Sequence, residues 1–344
     1  MLVKVTILKH NKIMKIKETV GIDISKLTID VRIHSNQTFK VFENSIKGFK
    51  IMTYWVYKNS SFLKDEIMFI FEHTGLYSHN LSVFLTEQKI NFTLVPGLEI
   101  KRSLGISRGK DDKIDATKIA LYGYRLRDEI VPYDLPSQDI MTLKSLLSLR
   151  DRLVKQRAGY KSSLKEQKRV LLKKDNKILF ETQQKMIQSF SKQILKIENE
   201  MQYIVENNGQ LNHLYQLITS IKGVGPQTAL FLITYTNAFT KFKDARKFAS
   251  FCGIAPFPNS SGTSIRGRTK VSQLANKKIK SLLDLCAKSA IQSNPEMKYY
   301  YHKRIEQGKN KMSTINIIRN KIVSRVFAVV KRQTPYVDTM NFAA

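Results

Sequence analysis

Between residue 18 and about 125 the apolar positions change period several times. Glu18–Ile24 alternates, with Val20, Ile22 and Ile24 on one face and Gly21 and Asp23 on the other, which predicts a strand. Leu27–His34 and Thr38–Phe42 read as two more strands. The stretch 45–58, which carries the single tryptophan, Trp55, reads as a helix. Then come a buried strand at Glu66–Phe71, a helix at Ser78–Gln88, a strand at Asn91–Val95 and a helical pattern from Asp112 to Tyr124. Three strands in a meander followed by β/α alternation predict a mixed sheet flanked by helices over 18–130.

From 139 to 206 the pattern becomes long, highly charged helix without proline. Ile187, Phe190, Ile194, Ile197, Met201 and Ile204 recur at spacings of three and four, a heptad seam, and Asp175-Asn176 marks a turn. The expectation is a coiled-coil helical hairpin linking two domains, its seam either closing the hairpin on itself or buried between two chains. Over 211–337 apolar helical segments return: Leu217–Ile221, Leu230–Ile233 after Gly223-Val-Gly-Pro226, one at about 276–292 and one at about 312–331, with a polar, basic loop at 257–273. This half reads as mostly helical. The first half has the general plan of the ribonuclease-H-like nucleases, a likeness of fold alone.

Composition then narrows the function. The 344 residues carry 58 Lys and Arg against 28 Asp and Glu, a net charge of +30, far beyond what solubility requires. A polyanion is the expected partner, and nucleic acid is favoured over a membrane surface. No apolar run approaches the ~20 residues of a spanning helix, and lysines interrupt Met1–Lys17, so a cytoplasmic protein without membrane or signal segments is expected. Cys252 and Cys286 sit in apolar surroundings without paired spacing and read as reduced core residues.

The acids supply the first candidate chemistry. Asp23 lies within an otherwise apolar strand, Glu72 directly follows the buried run Ile67–Phe71, and Asp112 and Asp115 are three apart on a predicted helix, hence on one side of it. Converging carboxylates repel one another unless a cation lies between them, and an all-oxygen donor set suits Mg²⁺ or Mn²⁺. Asp111 is an alternative to Asp112, and Asp115 as a plain helix cap is the simpler reading of that residue.

The second candidate is Asn259-Ser-Ser-Gly-Thr-Ser-Ile-Arg-Gly-Arg-Thr-Lys-Val-Ser272. By composition it is a phosphate-contacting loop. The sharper reading makes a serine of this loop a nucleophile: Gly262 admits a phosphate to the backbone, and Arg266, Arg268 and Lys270 supply positive charge. Gly223 and Gly225, in a turn between helical segments, either join two helices or present backbone amides to a phosphate. The six histidines have no metal-ligand spacing, although His73 adjoins Glu72.

Taken together over residues 18–337, Gly21-Ile-Asp23, Glu72-His-Thr-Gly-Leu-Tyr77, Lys110-Asp-Asp-Lys-Ile-Asp-Ala116, Ile221-Lys-Gly-Val-Gly225, Phe248–Pro256, and Ser261-Gly262 through Arg266-Gly267 resemble one family in content and order. It is the group of insertion-sequence transposases with an amino-terminal DEDD domain and a carboxy-terminal serine domain, described as bridge-RNA-guided recombinases. The resemblance implies that Asp23, Glu72, Asp112 and Asp115 hold a divalent metal and that Ser261 becomes covalently joined to a DNA phosphate. It also implies a guide RNA as partner and a homodimer that pairs into a tetramer on DNA. Two positions depart from the family pattern: His73 replaces a small residue, and Ala275-Asn276 replaces Gly-Asn. The competing functions are a metal-dependent Holliday-junction endonuclease, with Ser261 only a phosphate contact, and a non-enzymatic nucleic-acid scaffold.

Overall fold

The run Ile67-Met-Phe-Ile-Phe71 is apolar on both faces because both faces are covered, the usual condition of a parallel strand. In the computed structural model it forms β4 (Ile67–Glu72), paired in parallel with β1 (Glu18–Ile24) and β5 (Phe92–Val95). On the other side of β1, β2 (Thr28–Ile33) and β3 (Phe39–Glu43) continue the sheet in antiparallel fashion, giving the order β3-β2-β1-β4-β5. The description covers residues 15–103, 112–261 and 265–338, with the backbone alone at Asp112, Lys113, Ser261, Ile265, Arg266 and Arg268.

Strand alternation divides the core of this unit in two. Val20, Ile22, Ile24, Ile29, Val31 and Phe71 pack under α1 (Ile46–Asn59) and α2 (His79–Glu87). Met68, Ile70 and Val95 face the opposite way, against α3 (Gly97–Ser103) and α4 (Asp112–Arg125), through Ile100, Ile119 and Tyr122. A mixed α/β unit of this kind agrees with the expected ribonuclease-H-like plan.

The chain divides into two compact units, Met1–Leu135 and Pro136–Ala344. The second opens with α5 (Gln138–Val170) and α6 (Lys177–Glu206), an antiparallel hairpin with Asp175 and Asn176 in the turn between them. The α6 seam is occupied by α5 of the same chain: Tyr160 packs on Phe190, Arg157 donates to Ser191 Oγ, and Arg150 pairs with Glu198 at 2.6 Å. The seam therefore faces α5 within the hairpin, with Ile194 and Met201 buried and Ile187, Phe190, Ile197 and Ile204 half-buried. The base of the hairpin, Leu143, Leu147, Met201 and Val205, belongs to the same core as α7 (Gly209–Thr219), α8 (Pro226–Tyr235), α9 (Ala245–Phe251), α10 (Lys277–Ser293), α11 (Pro295–Glu306) and α12 (Lys311–Arg332). Side-chain caps set most of these starts: Asn208, Asp244, Asn276, Asn294 and Asn310 each accept from a backbone N–H three residues on.

The stretch 257–273, expected as a loop, is instead a two-stranded hairpin of β6 (Pro256–Ser261) and β7 (Ile265–Val271). Most of its described residues are exposed, so it has no apolar face to announce strand periodicity; backbone pairing alone defines it. Among the described residues, no helix is long and apolar enough to cross a membrane.

Candidate active site

Asp23 and Glu72 lie at the C-terminal ends of neighbouring parallel strands. Ile22 of β1 pairs with Phe71 of β4, so one residue further on Asp23 comes beside Glu72. Both face α4. Thr19, two pairs of residues before Asp23, donates its hydroxyl to the Ala120 carbonyl at 2.9 Å, and Ile70, two before Glu72, lies where a Cβ on Gly123 would be. Gly21 makes this close approach possible: a Cβ there would sit 2.3 Å from the Ala116 oxygen and 2.3 Å from the Ala120 nitrogen. The helix backbone thus rests directly on β1, and its first turn, carrying Asp112 and Asp115, starts above the strand ends.

The electrostatics at Glu72 are set first by burial and then by the charges near it. Burial pushes the Glu72 carboxyl above its ordinary range, the Lys101 charge draws it back, and the Asp115 charge raises it again. The carboxylate rests against Gly97 at the start of α3, where an added Cβ would fall 2.5 Å from Oε2. Asp115 accepts from Lys118 Nζ at 3.0 Å. Thr74 Oγ1, two residues past Glu72, is buried without a hydrogen-bond partner among the described residues. No three His, Cys, Asp or Glu side chains among the described residues come close enough together to hold a metal; the Asp112 side chain and Asp111 lie outside them.

Sequence reading passed over three residues here. Gly97 and Lys101 come from α3, a helix entered directly after Pro96 and too short to show a period. Asp30 pairs with Asp23 across β1 and β2, on the same face, and is buried at 8% exposure. Its signal was the alternation Thr28-Ile-Asp-Val-Arg-Ile33, which places Asp30 on the Asp23 face once the pairing register is known.

The serine segment lies in the second unit. Ser261 is the last residue of β6 and pairs with Ile265, Ser260 pairs with Arg266, and Asn259 with Gly267. Gly262 and the side chains of Ser261, Arg266 and Arg268 lie outside the description, while Lys270 is exposed on β7. Gly267 is confined to glycine, since a Cβ would meet the Asn259 side-chain nitrogen at 2.6 Å and its carbonyl at 2.9 Å.

At the Gly223-Val-Gly225 turn the two glycines differ. Gly223 has φ +94° and sits against Ala290 of α10, where a Cβ would come within 2.7 Å, so its identity follows from packing. Gly225 caps α8 and has open space around its Cα. Lys222 beside them pairs with Asp338 at 3.0 Å, and Tyr336 N–H donates to Ser220 Oγ at 2.8 Å, which ties the C-terminal segment to this turn.

Comparison with known proteins places these observations. The family described as "Transposase IS116/IS110/IS902 family" matches residues 215–302, and a second family of the same group, the IS110 DEDD transposases, matches residues 20–174. The chain is 28% identical over 334 residues to the pilin gene-inverting protein of Moraxella bovis, covering 93% of this chain and 98% of that one. Its counterpart in Moraxella lacunata is 27% identical over the same length. A 43.6 kDa protein of insertion element IS110 in Streptomyces coelicolor is 31% identical over 127 residues, 37% of this chain and 31% of that one. Together the two family matches span most of the chain and take in the strand-end acids, α4, and the serine hairpin, and the protein accordingly belongs to the IS110/IS116/IS902 family of transposases, enzymes that cut and rejoin DNA.

Proposed function

We propose that this transposase exchanges DNA strands of a mobile insertion sequence through a phosphoserine formed at Ser261, with Asp23, Glu72, Asp112 and Asp115 as its acidic centre. The observation that carries the reading is the position of Asp23 and Glu72, each one residue past the paired Ile22 and Phe71 on adjacent strands, facing the helix that begins with the other two acids. The all-oxygen donor set, the burial that raises Glu72 with the Asp115 charge adding to it, and the Thr74 hydroxyl, unpartnered among the described residues, fit a hard divalent cation, Mg²⁺ or Mn²⁺. Bound there, such a cation would neutralise charge developing on a phosphate.

In the transfer, Ser261 Oγ forms a bond to a DNA phosphorus as the bond from that phosphorus to the adjoining nucleotide breaks. The departing oxygen keeps the electron pair and takes up a proton, leaving a free strand hydroxyl. A hydroxyl of another strand then attacks the phosphoserine and frees the serine. The phosphodiester energy is retained, so rejoining needs no nucleotide cofactor. Arg266, Arg268 and Lys270 neutralise the phosphate, and Gly225 and Gly262 let backbone amides approach it. A structured guide RNA is assigned to the remaining positive surface, and exchange of two strands calls for more than one serine, hence a dimer that pairs into a tetramer.

The near full-length similarity to proteins named for pilin gene inversion supports the same chemistry used to invert a DNA segment, with the placement of the two DNA sites deciding the outcome. The test is to quench the reaction in denaturant and resolve protein-linked DNA. Wild type should yield a covalent adduct, Ser261→Ala none. Asp112→Ala and Asp115→Ala should lose cleavage and keep RNA binding. Cleavage without an adduct would replace this reading with a Holliday-junction-type endonuclease.

A further inference from the structure

A cleft of about 210 Å³ opens in the second unit between α5, α8 and α10. Its floor is aromatic: Phe231 stacks on Tyr235, with ring centroids 5.8 Å apart and planes at 19°. Its rim is cationic, formed by Arg152 and Lys155 of α5 and Lys278 of α10. Among the described residues lining it, Asp151 is the one acid, and it is engaged by Lys278 and, at 3.9 Å, by Lys155.

Cations already cover the aromatic faces. The Lys278 ammonium lies 5.4 Å from the Phe231 ring centre and that of Lys144 5.9 Å from Tyr235. Lys241 continues the series next door, over Phe242 at 5.7 Å and Phe251 at 5.6 Å. Lys144 is exposed on a flexible stem, so its place on the Tyr235 face is exchangeable. A planar base would cover that face more fully, and the released ammonium would lie beside the phosphate the base brings with it. The volume falls below the ~300 Å³ or more of sites that hold a whole drug-sized ligand, which fits one unit of a polymer held elsewhere along its length.

We infer that this cleft receives one nucleotide of single-stranded nucleic acid, its base stacked on Tyr235 and its phosphate held by Arg152, Lys155 and Lys144. The inference rests on the reading of the protein as a nucleic-acid recombinase and adds a binding site away from the acids and the serine. RNA and DNA share the chemistry the cleft recognises, so both are tested.

Full-length protein is titrated with fluorescent single-stranded RNA and, separately, DNA oligonucleotides over a salt series, with thermal unfolding of every variant alongside. Tyr235→Ala should weaken binding roughly five- to a hundredfold and Tyr235→Phe should bind as wild type, because stacking needs the ring and not the hydroxyl. Arg152→Gln combined with Lys155→Gln, at two exposed positions, should lower the slope of log affinity against log salt by about 1.4, roughly 0.7 for each single-strand phosphate left without its cation. Weakening confined to the RNA arm or the DNA arm identifies which strand enters. If Tyr235→Ala unfolds, the double glutamine variant decides alone. Variants that match a binding-competent wild type in affinity and slope on both strands overturn the inference; a wild type that binds neither overturns the recombinase reading with it.

Discussion

Gly97 governs where the Glu72 carboxylate rests, and no side chain larger than hydrogen fits between them. Gly97→Ala is expected to push the carboxylate aside and slow cleavage about a hundredfold, the usual result of displacing a reactive group by an ångström, while leaving the melting temperature within a few degrees. Single-turnover rates beside a thermal scan check it; wild-type rates would show that the position of Glu72 is immaterial. Burial of Cys252 pushes its thiol up to about 12, and burial raises that of Cys286 as well. Thiolate is then scarce at pH ~8, and a thiol-specific reagent should label neither cysteine until denaturant is added. Labelling of the native protein would contradict the packing described. Burial alone would raise the Asp284 carboxyl, but Lys288 and Arg319 outweigh it by hydrogen bonds and charge and hold it below its usual range. A depressed carboxyl stabilises the fold above its unfolded pKa of ~3.9 and loses that contribution as pH falls through the folded value. Asp284→Asn should therefore cost about 2 kcal/mol at pH ~7, less than a fully buried pair because Asp284 keeps some solvent, and should flatten the acid limb of stability against pH. Urea melts from about pH 7 down to about pH 3 measure both.

At the scale of the element, the contact of α4 with β1 is made by main-chain atoms. Gly21→Ala must lift the helix or distort the strand, and an unfolding cost of about 3 kcal/mol is expected, read as a lower denaturant midpoint at unchanged slope. An unchanged midpoint would mean that α4 adjusts freely. The strands of the sheet were legible within about one residue because each buries at least one face, β1 and β4 both, and α4, α10 and α12 were legible because each buries one helical stripe. Asp23 and Glu72 could be assigned to strands, but their adjacency depends on a parallel pairing between segments more than forty residues apart, which no local pattern encodes. The exposed β6–β7 hairpin gave no apolar alternation to read. The entry to α11 at Asn294-Pro295 looks like a break in sequence, yet the asparagine caps the helix and the proline occupies a first-turn position where no N–H is needed. The α6 seam shows the limit most plainly: a stripe predicts that something covers it, and only the fold shows that α5 does.

At the scale of the whole molecule, the net charge of +30 sets the terms of association. Neutralising roughly six to ten duplex phosphates would make affinity fall about a thousandfold or more between about 50 and 200 mM salt, and a flat response would refute an electrostatic account of binding. The acids and the serine segment lie in different compact units of the chain. In genetic terms, the alleles Ser261→Ala and Asp115→Ala are then lesions within one cistron that can still complement. A host carrying both regains transposition if the acids of one polypeptide serve the serine of another, and stays inactive if each polypeptide must supply both. Crossing two dead copies of the gene thus counts how many chains make one working centre.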